Sequence, residues 1–420
     1  MKILHLSNSD FSGGAAKAAF RLNCALNDNK KLNVNSKMRV LEKKTNEKSV
    51  YGSYSKKDKF LNKFKCSLSQ KFQKIQFSEN KILHSSSIFP SFINYELNKN
   101  NYDLINLHWI QGEMISIEEI GRIKKPIVWT LHDAWPFCGT EHFPNGLNDK
   151  RYEYGYFRSN KSKFNKGFDL DRWAWERKRK SWNNHMTFVS PSRWIDECAK
   201  KSKLLINNDF YIVPHSLPLD IFKPSSKKLA RETFNLPKSK KLILFGAFNP
   251  LKDDRKGWEF LEPVLSKIFN KFNNISVVVF GNSANEKING FENKIISVGK
   301  LNDEKLLALL YSAADIMVVP SKIESFGQTA SEAQACGVPV VAFNATGLKD
   351  VIKHKQTGFL AKPYNWEEIY EGIVWLLNNE KQLKTIKTSS RKRAESLWNP
   401  NLISTQYYDI YKKVLNYNNF

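Results

Sequence analysis

The stretch that most constrains the fold is residues 315–343, DIMVVPSKIESFGQTASEAQACGVPVVAF. An apolar run at 316–319, ended by Pro320, reads as a strand buried on both faces. A polar loop follows at 321–325. Residues 326–336 carry small and helix-favouring side chains, and Gly337 and Pro339 stop them. A second apolar run occupies 338–343. Strand, loop, helix and strand make one right-handed crossover unit, which requires a parallel sheet. Glu324 stands just before the helix and Glu332 within it. If both are helical, their eight-residue spacing puts them within about 80° of each other, two turns apart. The helix start beside Ser325, Phe326 and Gly327 offers N–H groups that suit an anion.

The same grammar recurs along the chain. Residues 2–7 (KILHLS) read as a strand, and Gly13-Gly14 turns into a helix over AAKAAFRLNCAL. That turn is either an ordinary strand-to-helix connection or a loop that lets backbone approach a ligand. Further strands are expected at 36–42, 102–108, 126–131, 210–214, 241–248, 277–281 and 295–300. The 126–131 strand delivers His132-Asp133 to its C-terminal end, where ligand groups collect in open parallel sheets. With 420 residues the chain has room for two domains. The expected organisation is α/β, with two Rossmann-like, doubly wound parallel-sheet domains facing across a cleft. Their expected bounds are 1–218 and 219–396, with a C-terminal helix at 397–420 that crosses back to the first. A linker is expected at 218–236, from Pro218, Pro224, Ser225-Ser226 and Lys227-Lys228.

Charge bears on partners. The net charge is +25. Residues 1–218 hold 37 Lys and Arg against 21 Asp and Glu, or +16. This favours anionic partners, although a lysine-rich coding bias would produce it too. No helix-turn-helix, zinc-finger or RNP pattern is present, so no nucleic-acid partner is expected. From Phe60 through Leu61, Phe64, Leu68 and Phe72 to Ile75, apolar residues recur at helical spacing among lysines 57, 59, 63, 65, 71 and 74. Such a helix either lies in a membrane interface or docks on its own domain with its lysines in water. No run of about 18 apolar residues spans a bilayer, and the N-terminal apolar core is too short for a signal peptide. The five cysteines are scattered, with no CxxC pair. These features lead to the expectation of a cytoplasmic protein.

Glu324-x7-Glu332, with SFG after the first Glu and EAQACGVPVVA around the second, resembles the donor site of retaining glycosyltransferases of the GT-B fold, family 4 (glycosyl transferases group 1). The resemblance is strong over residues 240–365, fair at 1–25 and 126–135, and thin over 30–100 and 140–185. It implies that Glu324 contacts the donor sugar and Glu332 the ribose hydroxyls. Lys256, in Lys256-Gly257, would meet the donor diphosphate. The Gly13-Gly14 loop would lie against phosphates and acceptor, and His132, in TLHDAWPF, would contact the donor sugar. Backbone around Val298 and Lys300 would hold the base. Ala247 stands where the family has an Arg, so either Arg255 supplies that charge or the diphosphate has one cation fewer. His215-Ser216 replace the Asn-Gly pair that the family carries ahead of its linker.

The resemblance implies retaining transfer of a hexose-type sugar, with a nucleotide-diphosphate sugar as co-substrate (UDP before GDP) and no further cofactor. The implied acceptor is a hydroxyl of a lipid-diphosphate-linked glycan in bacterial surface polysaccharide (O-antigen, capsule or exopolysaccharide), at an anionic membrane surface on the inner face. Alternatives are a protein or small-molecule acceptor, or a phosphorylase or epimerase on the same fold. Asp169-Leu170-Asp171 formally matches a DxD metal motif, but nothing around it belongs to that other fold, and no metal is expected. Residues 134–183 read as an irregular acceptor-side loop with a basic helix at 173–182.

Overall fold

The computed structural model describes residues 1–417 except 53–55, 248, 284–287, 289 and 292–293. Phe248, the last residue of the strand expected at 241–248, therefore lies outside the described residues. The chain divides into two compact units, Met1–Ser216 with Asn401–Phe420, and Leu217–Pro400.

The first unit holds β1 (Lys2–Ser9), β2 (Asn35–Glu42), β3 (Val50–Gly52), β4 (Gln76–Phe77), β5 (Leu104–Leu107), β6 (Ile127–Thr130), β7 (Lys166–Gly167), β8 (Thr187–Ser190) and β9 (Asp209–Ile212). Seven of these form one parallel sheet in the order β3-β2-β1-β5-β6-β8-β9, and β4 and β7 pair antiparallel apart from it. The strands are short apolar runs because both sheet faces are covered. The C-terminal helix, Pro400–Tyr417, covers one face. Its Ile403, Tyr407, Ile410 and Tyr411 pack with Ile3, Leu104, Val128 and Val189. The Tyr411 hydroxyl accepts a 2.7 Å bond from Asn106 in mid-sheet.

The second unit holds β10 (Lys241–Gly246), β11 (Ile275–Phe280), β12 (Ile295–Gly299), β13 (Ile316–Val319), β14 (Val340–Phe343) and β15 (Gly358–Ala361), all parallel, in the order β12-β11-β10-β13-β14-β15. The two-residue period of a strand divides its core. Leu242, Leu244, Met317 and Val319 face one hydrophobic cluster, while Ile243, Phe245, Ile316 and Val318 face the other. In both sheets the first strand sits mid-sheet and the order reverses beside it, at β1/β5 and at β10/β13. The C-terminal ends of such strands flank the crevice that doubly wound sheets use for ligands.

Three expectations need correction. The stretch read as a linker, 218–236, belongs to the second unit. Phe222 and Ala230 are fully buried in its core, and Lys227 and Arg231 pair with buried Asp315 at 2.5 and 3.0 Å. Residues 134–169 are irregular, as expected, with only short helices and a two-residue strand, yet much of the segment is packed inside. Trp135, Phe137, Cys138, Thr140, His142, Asp171 and Lys178 are all buried, and the helix runs Leu170–Ser181 rather than 173–182. The Lys56–Gln73 helix does dock on its own unit, but through its polar side. Cys66 donates to the Gly112 carbonyl at 3.2 Å and Ser69 to Glu113 at 2.6 Å, and Gln73 bonds Ser86. Its apolar residues face outward: Phe60 is 73% exposed, Phe64 58%, Leu61 50% and Leu68 41%.

Candidate functional site

In the second unit the switch point brings together residues 68 positions apart. Lys256 follows β10, and Glu324 follows β13, the strand paired with it. Lys256 Nζ donates to Glu324 Oε1 at 2.6 Å, both side chains being mostly buried. Backbone joins the two loops: Lys322 N donates to the Arg255 carbonyl at 2.8 Å. Gly257 makes the turn possible. Its φ is +73°, and a Cβ there would lie 1.9 Å from the Pro320 carbonyl oxygen, so any other residue would push the Lys256 loop off β13. The Glu324 backbone is held by Thr346 Oγ1 at 3.0 Å and by Gly347 N, which donates to its carbonyl at 2.8 Å.

The helix after this loop runs Gln328–Ala335, with Gly327 as N-cap at φ +102° and no side-chain cap bond. Glu324 is thus neither helical nor a cap. Ser325, Phe326 and Gly327 form the bend between it and the helix, with Phe326 buried. Glu332 is buried within the helix and accepts the Tyr311 hydroxyl at 3.0 Å. The Arg255 guanidinium is committed to Asp253, at 2.9 and 2.7 Å. Burial pushes the Asp253 carboxyl up, but this bidentate partner outweighs it and holds the group below its ordinary value. Lys256 is held against Glu324. Val298 and Lys300 lie at the end of β12, two strands from β10; Val298 is half-buried and Lys300 exposed.

In the first unit the switch point carries Gly13 and a row of histidines. Gly13, at φ +90°, caps the Gly14–Asp28 helix, and a Cβ built on it meets nothing within 4 Å. The glycine is needed for its backbone conformation, and the space beside it is open. His132 follows β6. Its Nε2 shares a 2.9 Å hydrogen bond with His108 Nδ1, and His108 Nε2 shares one of 2.8 Å with His5 Nδ1. His215 stacks on the His132 ring at 5.0 Å. Burial lowers the pKa of all four, His5 to about 3 and His132 to about 4, so all are neutral near pH 7. Of these only His132 was expected as a site residue, and His215 was noted only as a departure from the family pattern. His5 and His108 come from separate strands, and no spacing signal joins them.

The segment after His132 is pinned from behind by Lys178, which lies in the run ERKRK. Its ammonium donates to the carbonyls of Trp135, Cys138 and Gly139, the last two at 3.0 and 2.7 Å, and sits 3.7 Å from the Trp135 ring centroid. Asp133 accepts His142 Nδ1 at 2.6 Å and Trp109 Nε1 at 2.9 Å. The two carboxylates of Asp169-Leu170-Asp171 go separate ways. Asp169 caps its helix through Arg172 N and pairs with Arg151 at 3.0 Å. Asp171 is buried, accepting from Gln76 at 2.7 Å and facing His84 at 3.3 Å. Among the described residues His84, Glu141 and Asp171 place ligand-type atoms within 4.8 Å of one another and could hold a metal ion. Their charge also balances without one. Burial and Asp171 raise Glu141 to about 8, keeping it protonated. Burial disfavours a charged His84, but Asp171 overcomes this and raises its pKa.

Comparison with known proteins bears on the fold and the family resemblance. Residues 226–393 match the family model of glycosyl transferases group 1. A D-inositol 3-phosphate glycosyltransferase of Mycobacteroides abscessus is 31% identical over 179 residues, 40% of this chain and 38% of the relative. An uncharacterized glycosyltransferase of Methanocaldococcus jannaschii is 26% identical over 228 residues, 44% of this chain and 58% of the relative. The chain thus spans 38% and 58% of the lengths of these two relatives. Solved structures match over nearly all of it. Sucrose-phosphate synthase from Thermosynechococcus elongatus has TM-score 0.64 at 19% identity, covering 99% of both chains. Anabaena HepE, solved with UDP-glucose, has TM-score 0.65 at 15% identity, covering 98% of this chain and all of that one. These likenesses show the GT-B fold. The family match is confined to residues 226–393, within the second unit.

Proposed function

We propose that the protein is a retaining glycosyltransferase that moves a hexose-type sugar from a nucleoside diphosphate sugar to a hydroxyl acceptor, without a metal. One observation carries the reading: Lys256 and Glu324, from neighbouring strands, meet at the switch point of the unit that matches the family. In this reading Glu324 takes a sugar hydroxyl, Glu332 the ribose, and Lys256 the diphosphate, whose charge grows as the glycosidic bond breaks. The diphosphate oxygen that leaves the anomeric carbon takes the proton of the incoming hydroxyl on the same face, so no side chain has to become a covalent intermediate. Stabilising the departing phosphate is then the protein's main task, and losing one such contact costs about 100- to 1,000-fold in rate. Arg255 is tied to Asp253, so the reading assigns the diphosphate one cation fewer than the family pattern. The UDP and UDP-glucose complexes of Anabaena HepE support a UDP-sugar donor. A hydrolysis screen over UDP-, GDP- and ADP-sugars tests this. Turnover of one donor that Lys256→Ala abolishes is expected, and no hydrolysis of any would overturn it.

The acceptor reading rests on the Lys56–Gln73 helix. Its outward apolar face, beside exposed Lys57, Lys59, Lys63 and Lys71, suits the boundary of an anionic leaflet. Exposed Phe92, near the helix through the Lys65-to-Pro90 bond, extends the surface. Among the described residues no helix is long and apolar enough to cross a membrane. A structural neighbour, WaaG, is a glycosyltransferase involved in lipopolysaccharide biosynthesis. We read the acceptor as a lipid-diphosphate-linked glycan at an anionic membrane surface. Co-sedimentation with phosphatidylglycerol liposomes is expected, and Phe60→Ser with Phe64→Ser should abolish it. Equal binding to zwitterionic liposomes, or none to either, would refute it.

A further inference from the structure

We propose that His84, Glu141 and Asp171 form a structural site for one divalent transition-metal ion, zinc before manganese, within the first unit. The ion takes no part in transfer, and the diphosphate stays with Lys256. His84 and Glu141 face each other across an isolated antiparallel bridge, and Asp171 lies in the first turn of the Leu170–Ser181 helix. Gly139 lets these segments meet, because a Cβ there would lie 2.5 Å from the Asp171 carbonyl oxygen. His84 Nδ1 is 3.3 Å from Asp171 Oδ1, the separation of two ligands each about 2.0–2.1 Å from a tetrahedral ion. One ligand atom from each residue lies within 4.8 Å of the other two, so a short movement of the Glu141 side chain closes the set. Asp169 is not part of it, since it caps the helix and pairs with Arg151.

The imidazole is oriented for ligation. His84 Nε2 lies 3.0 Å from the Asn80 carbonyl, which can only accept, so that nitrogen carries its hydrogen and Nδ1 turns to the carboxylates. Thr140 Oγ1, 2.8 Å from Nδ1, offers a further oxygen. Behind the ligands, Gln76 donates to Asp171 Oδ2 at 2.7 Å and Tyr156 donates to Glu141 Oε1. Two observations favour an ion over a closed hydrogen-bonded cluster. Glu141 is 4% exposed, and its Oε2 is buried with no hydrogen-bond partner. Glu141 and Asp171 also line a cavity of about 240 Å³ with polar walls, where four carboxylates, Glu79, Glu141, Asp149 and Asp171, stand against one guanidinium, Arg151. Such a cavity draws in a cation and holds water for the positions that the protein leaves open. An imidazole among carboxylates suits zinc, whereas magnesium and calcium take oxygen ligands. The rival occupant is a pair of protons, on Glu141 and His84. The ion ties the irregular segment 134–169 to the helix whose Lys178 pins the chain after His132.

Untagged full-length protein, stripped with a chelator and checked by circular dichroism, is titrated with zinc by calorimetry. About one equivalent is expected to bind, with manganese at least about tenfold weaker, and the melting temperature should rise with zinc. Glu141→Gln and Asp171→Asn keep the side-chain shape and remove a charged ligand. Each should weaken zinc by more than the about 10- to 100-fold that losing a partner behind a ligand costs, and Gln76→Ala by about that much. No zinc uptake by folded wild type, or uptake unchanged in a folded Glu141→Gln or Asp171→Asn, would overturn the proposal. Where those variants fail to fold, cobalt in place of zinc decides on wild type. The spectrum of a nitrogen- and oxygen-ligated ion is expected, and sulfur-to-metal charge transfer would place the ion on a cysteine and overturn the site. No readout here is turnover, so the donor reading stands or falls separately.

Discussion

The four buried histidines make stability depend on acid in a calculable way. In the unfolded chain a histidine takes up a proton below about pH 6.5. In the fold His5 resists protonation down to about pH 3 and His132 to about 4, and His108 and His215 are also lowered well below their ordinary value. The unfolded state then binds more protons, so each ring's contribution is full above pH 6.5 and is lost as pH falls toward the folded pKa. At pH 5 the loss is about 2 kcal/mol each for His5 and His132, or about 4 kcal/mol together, and His108 and His215 act in the same direction. That is a large part of the stability of a typical domain, about 5–15 kcal/mol. Two groups pull the other way. Glu141 stays protonated in the fold up to about pH 8; ionised when unfolded, it regains about 3 kcal/mol between pH 7.5 and 5. His84, whose pKa is raised, adds to that. Four lowered histidines outnumber the two opposing groups, so the net change on acidification is a fall. Urea unfolding at pH 7.5, 6 and 5, followed by tryptophan fluorescence, measures it, since seven of the eleven tryptophans lie in residues 1–216. His5→Asn keeps a polar atom near the Nδ1 position and should shrink the fall by about 2 kcal/mol. Stability that is flat from pH 7.5 to 5, or an unchanged slope in His5→Asn, would refute the reasoning.

Glu324→Ala and Lys256→Ala should each cut turnover at least about 100-fold with unchanged circular dichroism; near-normal rates in either soluble variant would remove the pair from the chemistry. Glu332→Gln should weaken nucleoside diphosphate binding by calorimetry more than it lowers kcat, because a ribose contact persists from ground to transition state. Activity should survive EDTA, and loss that manganese restores would reassign the diphosphate charge to a metal. Lys178→Met should destabilise the protein by about 3 kcal/mol or more in urea unfolding, since it strips three carbonyls of their donor.

Much of the second unit was legible because its signals are local. A parallel strand buried on both faces is a continuous apolar run, and residues 316–319 and 340–343 show this whatever surrounds them. Lys256-Gly257 and Glu324 could be found separately. The sequence does not contain their 2.6 Å contact, which depends on β10 and β13 being neighbours, a fact of strand order. Arg255 shows the limit of reading charge alone. One position from Lys256, it is equally cationic, yet Asp253 two residues earlier takes its Nε and Nη2.

What stayed hidden was hidden for physical reasons. His5 and His108 are 103 residues apart, and each sits in an apolar run where a lone histidine looks like a core accident. Lys178 lies in a run of basic residues that reads as solvated. The structure sorts that run by helical phase: Lys178 falls on the inward face of Leu170–Ser181, while Arg179 and Lys180 fall outside. The Lys56–Gln73 helix reverses the usual inference altogether. Period 3.6 establishes that a helix has an apolar face, not that this face meets the core. Here the surface beneath offers the Gly112 carbonyl, the Glu113 carboxylate and the Ser86 hydroxyl. Covering those groups with Phe60 and Phe64 would leave buried acceptors without donors, at about 1–3 kcal/mol each. Turning Cys66, Ser69 and Gln73 inward supplies the donors and leaves the apolar stripe exposed.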